Sequence, residues 1–192
     1  MTPEDARTLM HDWTPSPALR VHMESVAACM GAYAAALDPD QRDRWITCGL
    51  LHDFDYQRHP TADEHPFVGV KHLESLGVDQ EIRTAILGHA HYTGVARQTP
   101  MARSLFAVDE LAGFIVACAK VRPEGIDTLS PKSVKKKLKD KRFAAAVSRE
   151  DIAIGLAELA ADMNAIDPDA FKTEHIQTCI NAIRAESDRL GV

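Results

Sequence analysis

Apolar residues along most of the chain return at every third or fourth position. Leu19, Met23, Val26, Met30 and Tyr33 form one such series; Leu105, Val108, Leu111, Ala112, Ile115 and Val116 form another. That spacing lines one face of an α-helix. Alternation of Val, Ile and Thr at period two, the mark of a half-buried strand, is nearly absent, so almost no sheet is expected. Capping residues set before prolines punctuate the pattern: Thr2-Pro3, Ser16-Pro17, Asp38-Pro39, Ser130-Pro131 and Asp167-Pro168. In each, one side chain can accept from first-turn N–H groups, and the proline that follows has no N–H to leave unsatisfied. Ser148-Arg149-Glu150-Asp151 has the form of a capping box with Asp in the place of Glu or Gln. The predicted helices lie near residues 3–11, 17–37, 40–52, 66–77, 79–91, 101–120, 131–138, 149–163 and 168–190. The longest irregular stretches between them are 53–65, 92–100 and 121–130. No internal repeat, low-complexity tract or linker divides the chain. The expectation is a single all-α domain over residues 1–192, a helical bundle.

Composition narrows the class. At 192 residues, 45% hydrophobic and 26% charged, the chain is long and apolar enough to bury a sizeable core. A net charge of −6 argues against bulk nucleic-acid binding and against an anionic membrane surface. Cys29, Cys48, Cys118 and Cys179 form no CxxC pair and sit in apolar helical patterns, as small buried hydrophobes do. The segment MTPEDARTLM lacks the cationic and apolar regions of a signal peptide, and no apolar run reaches membrane-span length. A cytoplasmic, soluble protein is expected. Ala-rich segments at 27–37 and 153–161 could pack subunits into a homo-oligomer.

Candidate chemistry concentrates in LLHDFDYQRHPTADEHP, residues 50–66, which holds three histidines and four acids directly after the apolar run WITCGLL. His22 lies in the helix predicted over 17–37 with apolar neighbours Ala18, Leu19 and Val26, so it faces inward and needs a hydrogen-bond partner or a metal. His52 and Asp53 close the third helix, where adjacent side chains diverge by about 100°, so they can grip one ion only from its edge or from a frayed terminus. Asp109 sits mid-helix among apolar residues, where a lone carboxylate is costly and a cation removes the cost. Taken singly, each has an ordinary structural explanation: a satisfied core histidine, or an Asp paired with a Lys. Taken together, four residues on three helices have reason to share a cation.

The ordered set RVHMESV, LLHDFD and AVDELAG resembles the HD-domain metal-dependent phosphohydrolase family, in the branch often called HDIG proteins. The likeness covers residues 17–120, and the tail KSVKKKLKDKRFAAAVSRE extends it into a helical C-terminal extension over 131–190. The resemblance implies an HD-type helical bundle in which His22, His52, Asp53 and Asp109 hold a divalent metal. It implies that Asp53 is the catalytic residue, bridging to the metal and orienting the attacking water. It implies that His65 and His89 are ligands for a second ion. His89 and His91 point apart on a regular helix, so only one of them serves, and His89 is preferred. Where HDIG proteins have Ile-Gly after the doublet, this chain has Phe54-Asp55, which predicts a different loop path and one more carboxylate near the site.

Two imidazoles and two carboxylates suit Mn, Fe, Co, Ni or Zn, with Mg less favoured, and one or two ions are expected. The implied activity is hydrolysis of a small-molecule phosphate ester, a nucleotide or a related monoester or diester. The alternatives are an HD-fold iron oxygenase and a non-catalytic metal-binding sensor module. Lys132 to Arg142 carries seven cations against one acid. It reads as a solvated helix face with a Val134/Leu138 seam, as a funnel that gathers phosphates, or as a nucleic-acid contact, which the lack of interleaved aromatics for base stacking disfavours; of these, the funnel bears on the site. On the second reading Lys120, Arg122, Lys132, Lys135 and Lys136 are candidates for phosphate contact. His59 and His72 are expected at the surface or facing substrate, and His11 and His175 on the solvent side.

Overall fold

A computed structural model describes residues 1–192. The chain folds into ten α-helices and two short 3₁₀ turns, with no strand. In order these are α1 (Pro3–Trp13), α2 (Pro17–Leu37), α3 (Arg42–Leu51), α4 (Phe67–Ser75), α5 (Gln80–Gly88), α6 (Pro100–Lys120), α7 (Pro131–Leu138), α8 (Arg149–Asp162), α9 (Pro168–Arg184) and α10 (Ser187–Leu190). The 21-residue helices α2 and α6 pack against each other at the centre. Helices α3 and α9 flank α2, and α5 and α8 flank α6. One hydrophobic core runs through the molecule, from Ala6 and Met10 of α1 to Leu190 of α10. All four cysteines are buried in it. No helix is long and apolar enough to cross a membrane.

Side-chain caps form at Thr2, Ser16, Ser130, Ser148 and Asp167, where the sequence places them. Asp38 is different: its carboxylate accepts from the Trp45 indole N–H at 3.2 Å and caps nothing. The expected 79–91 helix stops at Gly88. His89 is its cap, and His91–Thr93 form a 3₁₀ turn ended by Gly94 in the left-handed region. The expected 168–190 helix breaks after Arg184.

Charged groups fasten the periphery. Buried Glu24 of α2 accepts from Arg7 of α1 at 2.6 Å and also pairs with Arg189 of α10. Arg184 donates to the carbonyls of Ile126 and Leu129, holding the loop after α6 onto α9. Arg149 donates to the carbonyls of Ala144 and Val147 and lies over the Phe114 ring, which shapes the turn leading into α8. At Gly155 helix α8 comes so close to α6 that an added Cβ would lie 2.6 Å from Ala107 Cα.

One expectation of exposure changes. His175 is buried on α9, not solvent-facing: its Nε2–H donates to Ala107 O at 3.2 Å, and its Nδ1 accepts from the Tyr33 hydroxyl at 2.5 Å. Burial pushes its pKa down to about 4. Much of the Ala-rich stretch of α2, including Ala27 and Ala34, is spent inside this chain's own core.

Candidate metal centre

Three helices and their ends deliver ligand atoms to one place. Helix α2 contributes His22. Helix α3 ends at Leu51, so His52 is its cap and Asp53 follows in a turn, freeing the pair from helical divergence. Helix α6 contributes Asp109. His22 Nε2 lies 3.1 Å from His52 Nε2, 3.0 Å from Asp109 Oδ1 and 3.7 Å from Asp53 Oδ2. His52 Nε2 lies 3.4 Å from Asp109 Oδ1 and 3.6 Å from Asp53 Oδ2. An ion about 2.0–2.2 Å from each N or O ligand sets neighbouring ligand atoms roughly 3.0–3.6 Å apart, and the separations of His22 and His52 from each other and from the two carboxylates, 3.0–3.7 Å, lie close to that spacing.

A second triad adjoins the first. His65 Nε2 and His89 Nε2 are 3.3 Å apart, and each is 3.3 Å from Asp53 Oδ1. Asp53 therefore turns one oxygen to each group, Oδ2 to His22 and His52, Oδ1 to His65 and His89. Helix α5 stops at Gly88 and sets His89 at its cap facing Asp53, whereas exposed His91 pairs with Asp151 at 3.0 Å.

The tautomers follow from the partners. His52 Nδ1 lies 2.8 Å from Gly49 O and His89 Nδ1 lies 2.5 Å from Ile86 O; a carbonyl only accepts, so both Nδ1 atoms carry the proton. His65 Nδ1 donates to Asp55 Oδ1 at 2.7 Å. In the neutral rings the Nε2 lone pairs consequently converge on one another, an arrangement only a cation or added protons relieves. With no ion present the protons win. Burial opposes charging of His52 and His65, but Asp53 and Asp109 outweigh it at His52, and Asp53 and Asp55 at His65, lifting each to about 9. The same partners hold Asp53 and Asp109 well below the usual carboxylate range despite their burial. The cluster fits a divalent ion in spacing, tautomer and charge.

Residues 20–113 match the family model described as HD domain, a span that includes all six candidate ligand residues. This segment is an HD domain. That family consists mostly of metal-dependent hydrolases. Among curated proteins and among solved structures, none matches this chain.

Within this HD domain the departure at Phe54-Asp55 has a structural purpose. Phe54 is buried against Trp13, and its carbonyl accepts from the Thr14 hydroxyl at 3.0 Å. Asp55 is buried too; it orients His65 and accepts from the Gly69 N–H at 2.7 Å. A Cβ on Gly69 would lie 2.6 Å from Asp55 Cγ, so glycine is required there. Hydrogen bonding of this kind fixes a ligand ring and raises its basicity.

A cavity of about 490 Å³ opens onto the HD centre. His22, Asp53, His65, His89 and Asp109 form its floor, and Glu110, His91, Asp151, Tyr56, Tyr92 and Phe106 form its walls. Of these wall residues, sequence reasoning weighed only His91 for the site. Glu110 had only its place beside Asp109 as a signal, and Asp151 was assigned to a capping box. Ser148 does cap α8, but its own N–H donates to Glu110 Oε2 at 3.0 Å instead of to Asp151. Burial and the neighbouring Asp109 push Glu110 up to about 7 in the absence of an ion.

The basic candidates lie elsewhere. Arg122 and Lys136 line a separate depression between α6 and α7, Lys135 lines another and donates to Thr173, and neither Lys120 nor Lys132 lines the HD cavity. Val134 is buried beneath this helix and Leu138 packs against the core. His72 packs on Trp13 at 4.7 Å, His59 pairs with Glu64, and His11 is exposed; none of the three reaches the cavity.

Proposed function

We propose that the HD centre hydrolyses a small-molecule phosphate ester, with nucleotides among the candidate substrates. The observation that carries this reading is the double use of Asp53, one oxygen in each ligand triad. A divalent ion bound there supplies Lewis acidity, acidifying a water and polarising a phosphoryl oxygen. The chain's own residues do the rest. Asp109 and Asp53 keep the cluster negative enough to retain cations. Asp53, fixed between two histidine pairs, is placed to orient the attacking water. Asp55 and the carbonyls of Gly49 and Ile86 hold the imidazoles so that Nε2, not Nδ1, faces the ion. Four imidazoles favour Mn, Fe, Co, Ni or Zn over Mg.

The test is phosphate release across a panel of esters with each of these metals, alongside metal analysis of purified protein. Turnover that disappears together with metal in Asp53→Ala supports the reading; unchanged turnover in that variant removes Asp53 from the site. A second reading has a specific observation behind it. His65, His89 and Asp53 form a triangle of 3.3 Å sides, the two-histidine, one-carboxylate set used by non-haem iron oxygenases. Bound iron with an oxygen-sensitive absorption band and no phosphate release favours that reading. Saturable metal binding with neither activity favours a sensor module.

A further inference from the structure

We propose that Glu110 and Asp151 make the cavity selective for phosphomonoesters whose alcohol part is neutral or cationic and rich in hydroxyl or amino donors, and that they reject polyphosphates. The inference rests on the phosphate-ester reading above and narrows its substrate class.

Apart from the histidines, every charged side chain lining the cavity is a carboxylate: Asp53, Asp109, Glu110 and Asp151. Two of these belong to the metal ligands. The other two form a wall, and both are held in place. Glu110 Oε2 accepts from the Ser148 N–H at 3.0 Å, and Asp151 Oδ1 accepts from His91 at 3.0 Å. Each carboxylate thereby keeps one oxygen, Oε1 of Glu110 and Oδ2 of Asp151, with no hydrogen-bond partner in the protein. Gly155, one turn further along α8, brings that helix onto α6 at Ala107 and so sets Asp151 beside the Asp109–Glu110 pair.

Positive charge in this cavity can come only from its histidines and from an ion held by the ligand cluster. A phosphoryl group seated there leaves the alcohol part to run along the carboxylate wall. Hydroxyl or ammonium donors on that part find acceptors with spare capacity. A second or third phosphate would instead meet two carboxylates in a partly enclosed site, with no Lys or Arg to neutralise it. Juxtaposed like charges of this kind cost enough to set specificity.

The experiment uses the metal-loaded full chain and three probes: an aminoalkyl phosphate, a polyol phosphate and a nucleoside triphosphate. Calorimetric Kd and kcat/KM are measured for wild type, Asp151→Asn and Glu110→Gln, with thermal melts to confirm that each variant is folded. The expectation is that wild type binds the first two probes at least about tenfold more tightly than the triphosphate. Either variant should narrow that ratio by several-fold, chiefly through tighter triphosphate binding. Equal or tighter triphosphate binding by wild type overturns the inference, as does a loss that is the same for all three probes in both folded variants. Selective binding without turnover of any probe would leave the selectivity standing and sink the hydrolytic reading. Turnover with triphosphate preferred would do the reverse.

Discussion

Asp53 gives one carboxylate oxygen to each ligand triad, so its replacement removes a corner from both. Asp53→Ala is expected to lose metal from the whole cluster and to lower any turnover by at least about a thousandfold, since both Lewis-acid and orienting roles go together. His89→Ala removes only one corner of the second triad; elemental analysis should find the metal content near His22 retained. Equal losses in the two variants would argue against separate sites. Asp55→Asn tests the support beneath His65. The amide keeps the size but loses the carboxylate that accepts from His65 Nδ1 and Gly69 N–H. Such partners typically govern metal affinity or activity by about 10–100-fold, so a weakening in that range, measured by metal titration, is expected. An unaltered affinity would show that packing alone positions the ring. The candidate ligands were readable residue by residue because a buried carboxylate on an apolar helix such as α6 is hard to explain without a cation. The job of Asp55 was not readable, because it depends on Gly69, fourteen positions away, approaching within contact distance.

Helix α8 brings the wall residue Asp151 to the site and α9 packs behind α2 and α6, and both dockings are testable without touching a ligand. Gly155→Ala forces a methyl against Ala107 Cα, and the α6 backbone cannot yield freely. Overpacking of this kind costs about 1–3 kcal/mol, a fall in Tm of roughly 3–10 °C by thermal melting for a chain of this size. An unchanged Tm would mean that the two helices separate at no cost. His175 sets the pH dependence of α9 docking. Its ring is satisfied only when neutral, because Nδ1 accepts from Tyr33 while Nε2–H donates to Ala107 O. The unfolded chain takes up a proton near pH 6.5, and the folded chain refuses it until about 4. This contribution is therefore complete above pH 6.5 and lost as the pH falls toward 4. Urea unfolding of wild type and His175→Gln at pH 7 and pH 4.5 should show the wild-type advantage shrinking by about 2–3 kcal/mol at the lower pH. A pH-independent difference would refute the assignment. At this scale the apolar period located all the long helices, and prolines marked most of their starts. The early end of α5 and the break after Arg184 escaped, because continuing the helical period gives no sign of a stop. The inward turn of His175 depends on a hydroxyl from α2 that α9 alone does not reveal.

At the scale of the whole molecule, the metal cluster joins segments that the core alone joins less directly. Its ligands come from α2, the turn after α3, the loop before α4, the cap of α5 and the middle of α6. Helices α2, α3, α5 and α6 pack on one another through apolar contact there; the 52–66 turn is tied to α1 by Phe54 against Trp13, by Arg58 on the carbonyls of Asp12 and Trp13 and by Thr14, while its ligand-bearing side is held by Asp55 and the cluster itself. Without an ion the centre can still balance its two carboxylates by protonating His52 and His65, so the apo protein should fold. It should do so with less stability, since a ligand that binds only the folded chain adds RT ln(1 + [L]/Kd), about 4 kcal/mol at a thousandfold excess over Kd. Stripping the metal with a chelator is therefore expected to lower Tm by roughly 10 °C, and restoring a saturating divalent ion should recover it. The loss should not be uniform. Amides of the 52–66 turn and of His89–Thr93 should gain hydrogen-exchange rates most, while the α2–α6 core, packed by apolar side chains on every side, should stay protected near the global limit. A chelated protein with unchanged Tm and unchanged exchange in the 52–66 turn would mean that no ion is held there, and that the converging Nε2 atoms are satisfied by protons alone.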